Sequence, residues 1–305
     1  VIAKGKEIRY HLLALITAVI WGTTLISTKI LIYNGLTPTE IFFFRFLMAY
    51  LCIWFFSPKK FLSENWKDEF YFGLLGLFGG SLYFITENMA LGITQASNVS
   101  LILCTAPLLT ALLSFLINRK NEKPTTKLMY GSLLAIIGVT LVIFNGSFIL
   151  KLNPLGDFLT VAAAFSWAFY SLILRKMENR YPILFITRKV FFYGIITLVP
   201  FFIYEPISID LKILFRPVVY INLLFLGIIA SMLCFFMWNT AVKNLGVIRT
   251  SNYIYIVPLV TLITSAAILG EKITQIAIAG SICILAGVYM AENGVKIKYV
   301  RKKVK

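Results

Sequence analysis

The sequence predicts an all-α polytopic membrane protein with ten transmembrane helices, built as two inverted five-helix repeats. Three observations predict it. Of the 305 residues, 59% are apolar and 14% charged, and the mean hydropathy is +0.85. A soluble domain carries about 45–50% apolar and about 25% charged residues. A chain this poor in charge cannot cover a water-facing surface of its own size, so most of its exterior must face lipid. The second observation is a run of ten apolar stretches, each near the ~20 residues a helix needs to cross ~30 Å of hydrocarbon. The third is an internal repeat.

The stretches fall at 11–33, 38–57, 70–91, 95–117, 127–145, 155–175, 182–204, 218–241, 248–269 and 274–293. Backbone polar groups in lipid need internal partners, so these spans are helices. Strands of a membrane barrel would show period-two patterning, which is not visible. The first run continues well past about 15 residues with no small-x-small cleavage site after it, so it is expected to be a retained helix. Asn34–Thr37, Gly92–Thr94 and Gly270–Ile273 make short connectors, and longer ones lie at 58–69, 118–126 and 205–217. Gly, Pro and Asn mark most of these breaks. The third span carries Gly73, Gly76, Gly79 and Gly80, a small face suited to close helix packing. The fourth and ninth spans carry Pro107 and Pro258 near their middles. Each proline removes a donor and crowds the preceding turn, so a kink is expected, either a hinge or a static bend. Cys52, Cys104, Cys234 and Cys283 are scattered through spans without ligand-like spacing and read as packing residues.

The formal charge of +16 would suit a nucleic-acid binder if it were clustered on a soluble face. Its placement argues otherwise. With a cytoplasmic N-terminus, 21 Lys and Arg fall on inside segments, including the tail at 296–305, and four on outside loops. By the positive-inside rule both termini are cytoplasmic, in the cell (inner) membrane. No nucleic-acid partner is expected.

Asn121-Glu122-Lys123-x-Thr125, Gly131-Ser132 and Gly138-Val139 recur as Glu271-Lys272-x-Thr274, Gly280-Ser281 and Gly287-Val288 at a shift of 149 residues. Pro107-Leu108, Thr110 and Asn88 match Pro258-Leu259, Thr261 and Asn239 at 151, and Trp21 matches Trp167 at 146. The halves are 11–145 and 155–293. Each holds five spans, an odd number, so equivalent helices run in opposite directions. Inverted repeats are a recurrent device of secondary transporters, where one midplane site opens to either side in turn.

Trp21-Gly22-x-x-x-Ile26-x-x-Lys29, Gly35-Leu36-x-Pro38 and Arg45 resemble the opening signature of the EamA family, in the drug/metabolite transporter superfamily. Ala90-Leu91-x-x-Thr94-x-Ala96-Ser97 with Pro107-Leu108, and Pro258 with Leu269-Gly270-Glu271-Lys272, resemble its later junctions. The resemblance implies ten helices, two EamA-like repeats, a central cavity and export of amino acids or related metabolites. Ile117-Asn118-Arg119-Lys120 departs from the Leu-Gly-Glu-like ending that the family often has there.

Ionisable residues at membrane depth are costly unless they snorkel, pair or face water. Lys29, Arg45 and Glu87 share the expected outer half of the bilayer. Glu87 is expected to pair with Arg45 or Lys29, and two roles stay open for it, a static ion pair and a proton carrier. Arg188 and Lys189 are expected to snorkel inward. The substrate site is expected near the midplane, on Trp21, Thr24, Tyr83, Asn88, Trp167 and Tyr170, with Asn98, Trp238, Asn239, Asn252 and Tyr255 as further candidates. Aromatic faces there suit apolar or cationic ligands.

The reading is therefore a secondary transporter, an exporter of small amino-acid-like or amphiphilic metabolites, with an uncoupled facilitator as the alternative. Protons are the candidate coupling ion, because no nucleotide-binding loop is present. No cofactor or metal is expected. An intramembrane enzyme would need converging His, Asp, Cys or Ser at depth, and His11 stands alone near a span end.

Overall fold

A computed structural model describes residues 2–57, 60–94, 96–117, 125–144, 154–204, 206–208, 211–269 and 275–293. The expected loop residues 118–124 and 270–274 and the basic tail lie outside these. Every regular element among the described residues is helical.

Helix α1 runs Ile2–Tyr33 and α2 Pro38–Trp54. The turn between them is set by Gly35 at φ 94° and by a capping box. The Thr37 hydroxyl accepts from the Glu40 N–H, and the Glu40 carboxylate accepts from the Thr37 N–H. Helix α3 spans Trp66–Ile93, with a π-helical segment at Leu77–Ser81. Then come α4 (Ala96–Leu103), α5 (Ala106–Ile117), α6 (Thr126–Phe144), α7 (Pro154–Met177) and α8 (Ile183–Leu198). Two single turns, Phe201–Tyr204 and Leu211–Leu214, precede α9 at Pro217–Leu245. The π segment of α9, Phe225–Leu233, occupies the place of the one in α3 at the 151-residue shift. Helix α10 (Val247–Ser251) passes through a 3₁₀ stretch, Asn252–Ile256, into α11 (Val257–Leu269), and α12 is Gln275–Asn293.

Among the described residues, five helical stretches are long and apolar enough to cross a membrane: Glu7–Tyr33, Trp66–Ile93, Pro154–Met177, Ile183–Ile203 and Pro217–Leu245. Of the other expected spans, 127–145 and 274–293 fold as the unbroken helices α6 and α12, 38–57 as the shorter α2, and 95–117 and 248–269 as interrupted helices. The interruptions have a visible cause. Pro107 and Pro258 each sit second in the helix after a break. Without a proline N–H, the carbonyls of Leu103 and Ile254 lose their i+4 donor. The two breaks also face each other, with Cys104 Sγ 3.7 Å from the Ile254 carbonyl.

The interior is aromatic. Phe46 packs its ring on those of Phe42, Phe84, Phe191 and Phe235, joining α2, α3, α8 and α9. Gly76 and Gly79 of α3 meet Tyr193 and Tyr170 so closely that a Cβ would fall under 3.0 Å from them. Helices α6 and α12 cross where Gly131 meets Ala291 and Gly287, and Gly138 meets Gly280 and Ile284, again with no room for a Cβ. Leu12, Ile16, Leu112, Leu116, Ile278, Ile282 and Tyr289 are exposed on the outside. An apolar exterior of this extent is what lipid demands and water penalises.

Candidate substrate cavity

Three long helices and the two broken ones enclose a cavity. Trp21, Thr24 and Leu25 come from α1, Tyr83, Phe84 and Glu87 from α3, and Trp167 from α7. Arg45 reaches in from α2. Leu103, Ala106, Ile254 and Val257 line the wall at the proline breaks. Its volume is about 50 Å³, room for about three to five waters at 10–15 Å³ each. A larger solute enters only if the helices part.

Trp21 donates its indole N–H to the Ala230 carbonyl at 3.0 Å and stands edge-on to Trp167, ring centres 5.1 Å apart. Thr24 bonds back to the Trp21 carbonyl. The Trp167 indole N–H is buried and has no partner among the described residues. Tyr83, one turn before Glu87 on the same helix face, donates to Glu87 Oε1 at 2.9 Å. Arg45 lies with its guanidinium 4.1 Å over the Phe84 ring and donates Nε–H to Ser231 Oγ at 2.9 Å. Ser231 belongs to the π segment of α9.

The structure thus brings together Trp21, Thr24, Tyr83, Trp167, Arg45 and Glu87 of the sequence candidates. The expected ion pair of Glu87 is absent among the described residues: no cation lies within 4.0 Å of it, and each charge is held by a neutral hydroxyl instead. Lys29 points elsewhere, to the Thr94 carbonyl at 3.5 Å. Asn88 is buried behind the wall and ties α3 to the start of α2 through the Pro38 carbonyl at 3.1 Å. Tyr170 is fully buried and donates to Asn239 Oδ1 at 2.6 Å, and Asn239 donates to Thr187 at 3.0 Å. That chain ties α7, α9 and α8 together beside the cavity. Trp238 packs at a 43° tilt against Trp21, while Asn252 and Tyr255 are buried near the second break. The Asn98 side chain lies outside the described residues.

A second polar cluster sits at the other end of α3, about 27 Å along the helix from Glu87 at 1.5 Å per residue. Lys189 does not snorkel. It is 1% exposed and bridges both oxygens of Glu69, at 2.8 and 3.0 Å. Tyr193 and the Ser63 N–H also donate to that carboxylate. Next to it, Asp68 accepts from Arg180 at 2.5 Å and from Tyr181 at 2.7 Å. Arg188 donates to the Lys60 carbonyl and lies over Trp54. Snorkelling failed as an account because the α2–α3 connector folds over α8 and buries these ends. The available signal was a surplus of charge at two span ends, the acids Asp68 and Glu69 and the bases Arg180 and Lys189 that pair with them.

Where α7 ends, Glu178 is 6% exposed. Burial pushes its carboxyl up to about 7, against the pull of Arg175 and Lys243.

The sequence model described as the EamA-like transporter family matches residues 8–144 and again 154–292. A protein of Archaeoglobus fulgidus named "Uncharacterized transporter" is 30% identical over 92% of this chain and 96% of its own. A protein of Salmonella typhimurium named "Probable amino-acid metabolite efflux pump" is 28% identical over 94% of this chain and 95% of its own. One solved crystal structure superposes with a TM-score of 0.74, covering 94% of this chain and 99% of that one, at 17% identity. That likeness shows a shared fold. With its membrane-length apolar helices and a match over both halves, the chain is a multi-pass membrane protein that belongs to the EamA-like transporter family.

Proposed function

We propose that this protein exports small metabolites, amino acids or related amphiphilic compounds, by alternating access of two inverted five-helix repeats around the central cavity. The observation that carries the reading is that equivalent residues of both halves wall that cavity: Trp21 with Trp167, Leu103 with Ile254, and Ala106 with Val257. A site at the repeat interface is where an inverted-repeat transporter holds its substrate. The α6–α12 crossing supports the inversion. Gly131 meets Gly287 and Gly138 meets Gly280, so the later residue of one helix meets the earlier residue of the other. These two helices, equivalent at the 149-residue shift, therefore lie antiparallel in a reciprocal, two-fold-like contact. Residues 11–145 and 155–293 are the two repeats, and the basic tail at 296–305 is cytoplasmic together with the N-terminus.

Glu87, in the cavity wall, is the candidate proton carrier. Proteoliposomes with and without an imposed pH gradient test both parts. Uphill accumulation that collapses with the gradient supports coupled transport. Equilibration alone leaves a facilitator, and full transport by Glu87→Gln with unchanged pH dependence removes that residue from coupling. The substrate is found by profiling metabolites exported from overexpressing cells. A profile identical to that of cells lacking the protein contradicts export.

A further inference from the structure

We propose that the cavity is a receptor for zwitterions, in which Arg45 takes a carboxylate, Glu87 takes an ammonium, and Ser231 is the residue that positions Arg45. The proposal rests on the transport reading, which already includes amino acids, and assigns the residues of the same site that read the two charges.

Two opposite charges line one narrow cavity yet do not pair with each other. An ionised group out of water is strongly penalised unless it is paired and hydrogen-bonded. Here each charge has only part of what it needs. Glu87 receives one hydrogen bond, on Oε1 from Tyr83, so Oε2 has no partner among the described residues. A guanidinium has five N–H donors. Arg45 uses Nε–H on Ser231 Oγ and lays one face on the Phe84 ring. The two Nη groups have no partner among the described residues, and their parallel N–H vectors match a carboxylate bidentately. A molecule carrying both charges completes both groups at once, and neither a pure cation nor a pure anion does so.

Trp167, itself 4% exposed, stands in the same wall, and its buried indole N–H has no partner among the described residues. The present volume suits the charged head of an α-amino acid, and its side chain would need the wall to open.

Ser231 is 0% exposed and belongs to the second half, whereas Arg45 belongs to the first. The serine takes the one donor that would otherwise turn the guanidinium side-on. Its position in a π segment, where an extra residue re-aims side chains, puts the hydroxyl under Nε. Because it touches Arg45 and not the ligand, it acts through orientation.

The test uses the purified full-length protein in nanodiscs, with tryptophan fluorescence as readout, since Trp21 and Trp167 line the site. Three ligand sets are titrated: L-alanine, L-leucine and L-phenylalanine, each with its amide (a cation) and its deaminated acid (an anion). In at least one set the zwitterion should bind about tenfold or more tighter than both single-charge analogues, the yield of one charge-assisted pair. Arg45→Met should bring the zwitterion down to the level of the amide, and Glu87→Gln down to the level of the acid. Ser231→Ala should weaken zwitterion and acid about three- to tenfold while the amide holds, and the amide thereby reports an intact fold. Equal binding across every set, preference for a single-charge analogue, no binding of any zwitterion, or an equal loss of amide and acid in Ser231→Ala would overturn the proposal. Metabolite export from cells separates the failures: export of other compounds without zwitterion binding sinks this proposal alone, and absence of any export sinks the transport reading with it.

Discussion

Lys189→Met removes the cation from the ion pair that joins α8 to α3. The Glu69 carboxylate is 8% exposed and the Lys189 side chain 1%. After the substitution, Tyr193 and the Ser63 N–H still donate to the carboxylate, but the charge has lost its counterion. Breaking a buried pair from one side costs about 3–5 kcal/mol. The two remaining hydrogen bonds offset part of that, so about 2–4 kcal/mol is expected, each 1.4 kcal/mol being tenfold in the folded-to-unfolded ratio. Glu69→Leu alone strands the ammonium among the Phe61, Phe72 and Phe185 rings and should cost a similar amount. The double variant replaces the pair with apolar packing and should lose only ~1 kcal/mol or less, because burying both charges was itself expensive. A coupling energy of about 2 kcal/mol or more follows. Reversible unfolding in mixed micelles, titrated with SDS and followed by far-UV circular dichroism, measures all four proteins. Additive single costs, or singles within ~0.5 kcal/mol of wild type, would refute the idea that this pair is buried and coupled.

Other outcomes follow from neighbouring features. Gly287→Leu drives a side chain into Ala135 and the Gly131 carbonyl across the α6–α12 crossing; about 1–3 kcal/mol of lost stability is expected from overpacking, read as a lower melting temperature. Tyr170→Phe leaves buried Asn239 Oδ1 without its donor and should cost about 1–3 kcal/mol, with ligand affinity measured by fluorescence little changed because Tyr170 stands off the cavity wall. Glu178 titrates near 7 in the folded chain against an ordinary 4.5. The folded state therefore holds that proton more tightly, and its contribution is full below the unfolded value. Stability should fall as pH rises from about 4.5 to about 7, by on the order of 2–3 kcal/mol, and Glu178→Gln should flatten that slope in melts across the range.

Depth and polarity made the cavity legible in the sequence. Trp21, Tyr83, Trp167, Arg45 and Glu87 are conspicuous because polar or amphipathic groups in the middle of apolar runs need a reason to be there. The proline positions likewise foretold where the α4–α5 and α10–α11 breaks fall. The apolar residues that wall the cavity at those breaks, Leu103 and Ile254, carry no such mark, since a leucine in a membrane helix faces lipid as readily as a site. Ser231 was equally silent: a lone serine in an apolar run bonds its own helix as a rule, and only the π segment aims it at Arg45. Lys189 was misread for a geometric reason. Counting residues from a span end measures depth along one helix and ignores a connector folded over that end.

The central claim is that a single cavity, walled by both halves, opens to each side of the membrane. Thr24 lies in its wall. A Thr24→Cys variant, with Cys52, Cys104, Cys234 and Cys283 replaced, can be probed by a membrane-impermeant maleimide in right-side-out and in inside-out vesicles. The account predicts labelling of that position from both sides, at rates that shift in opposite directions when a transported solute is present. Labelling from one side only, unchanged by any solute, would contradict it.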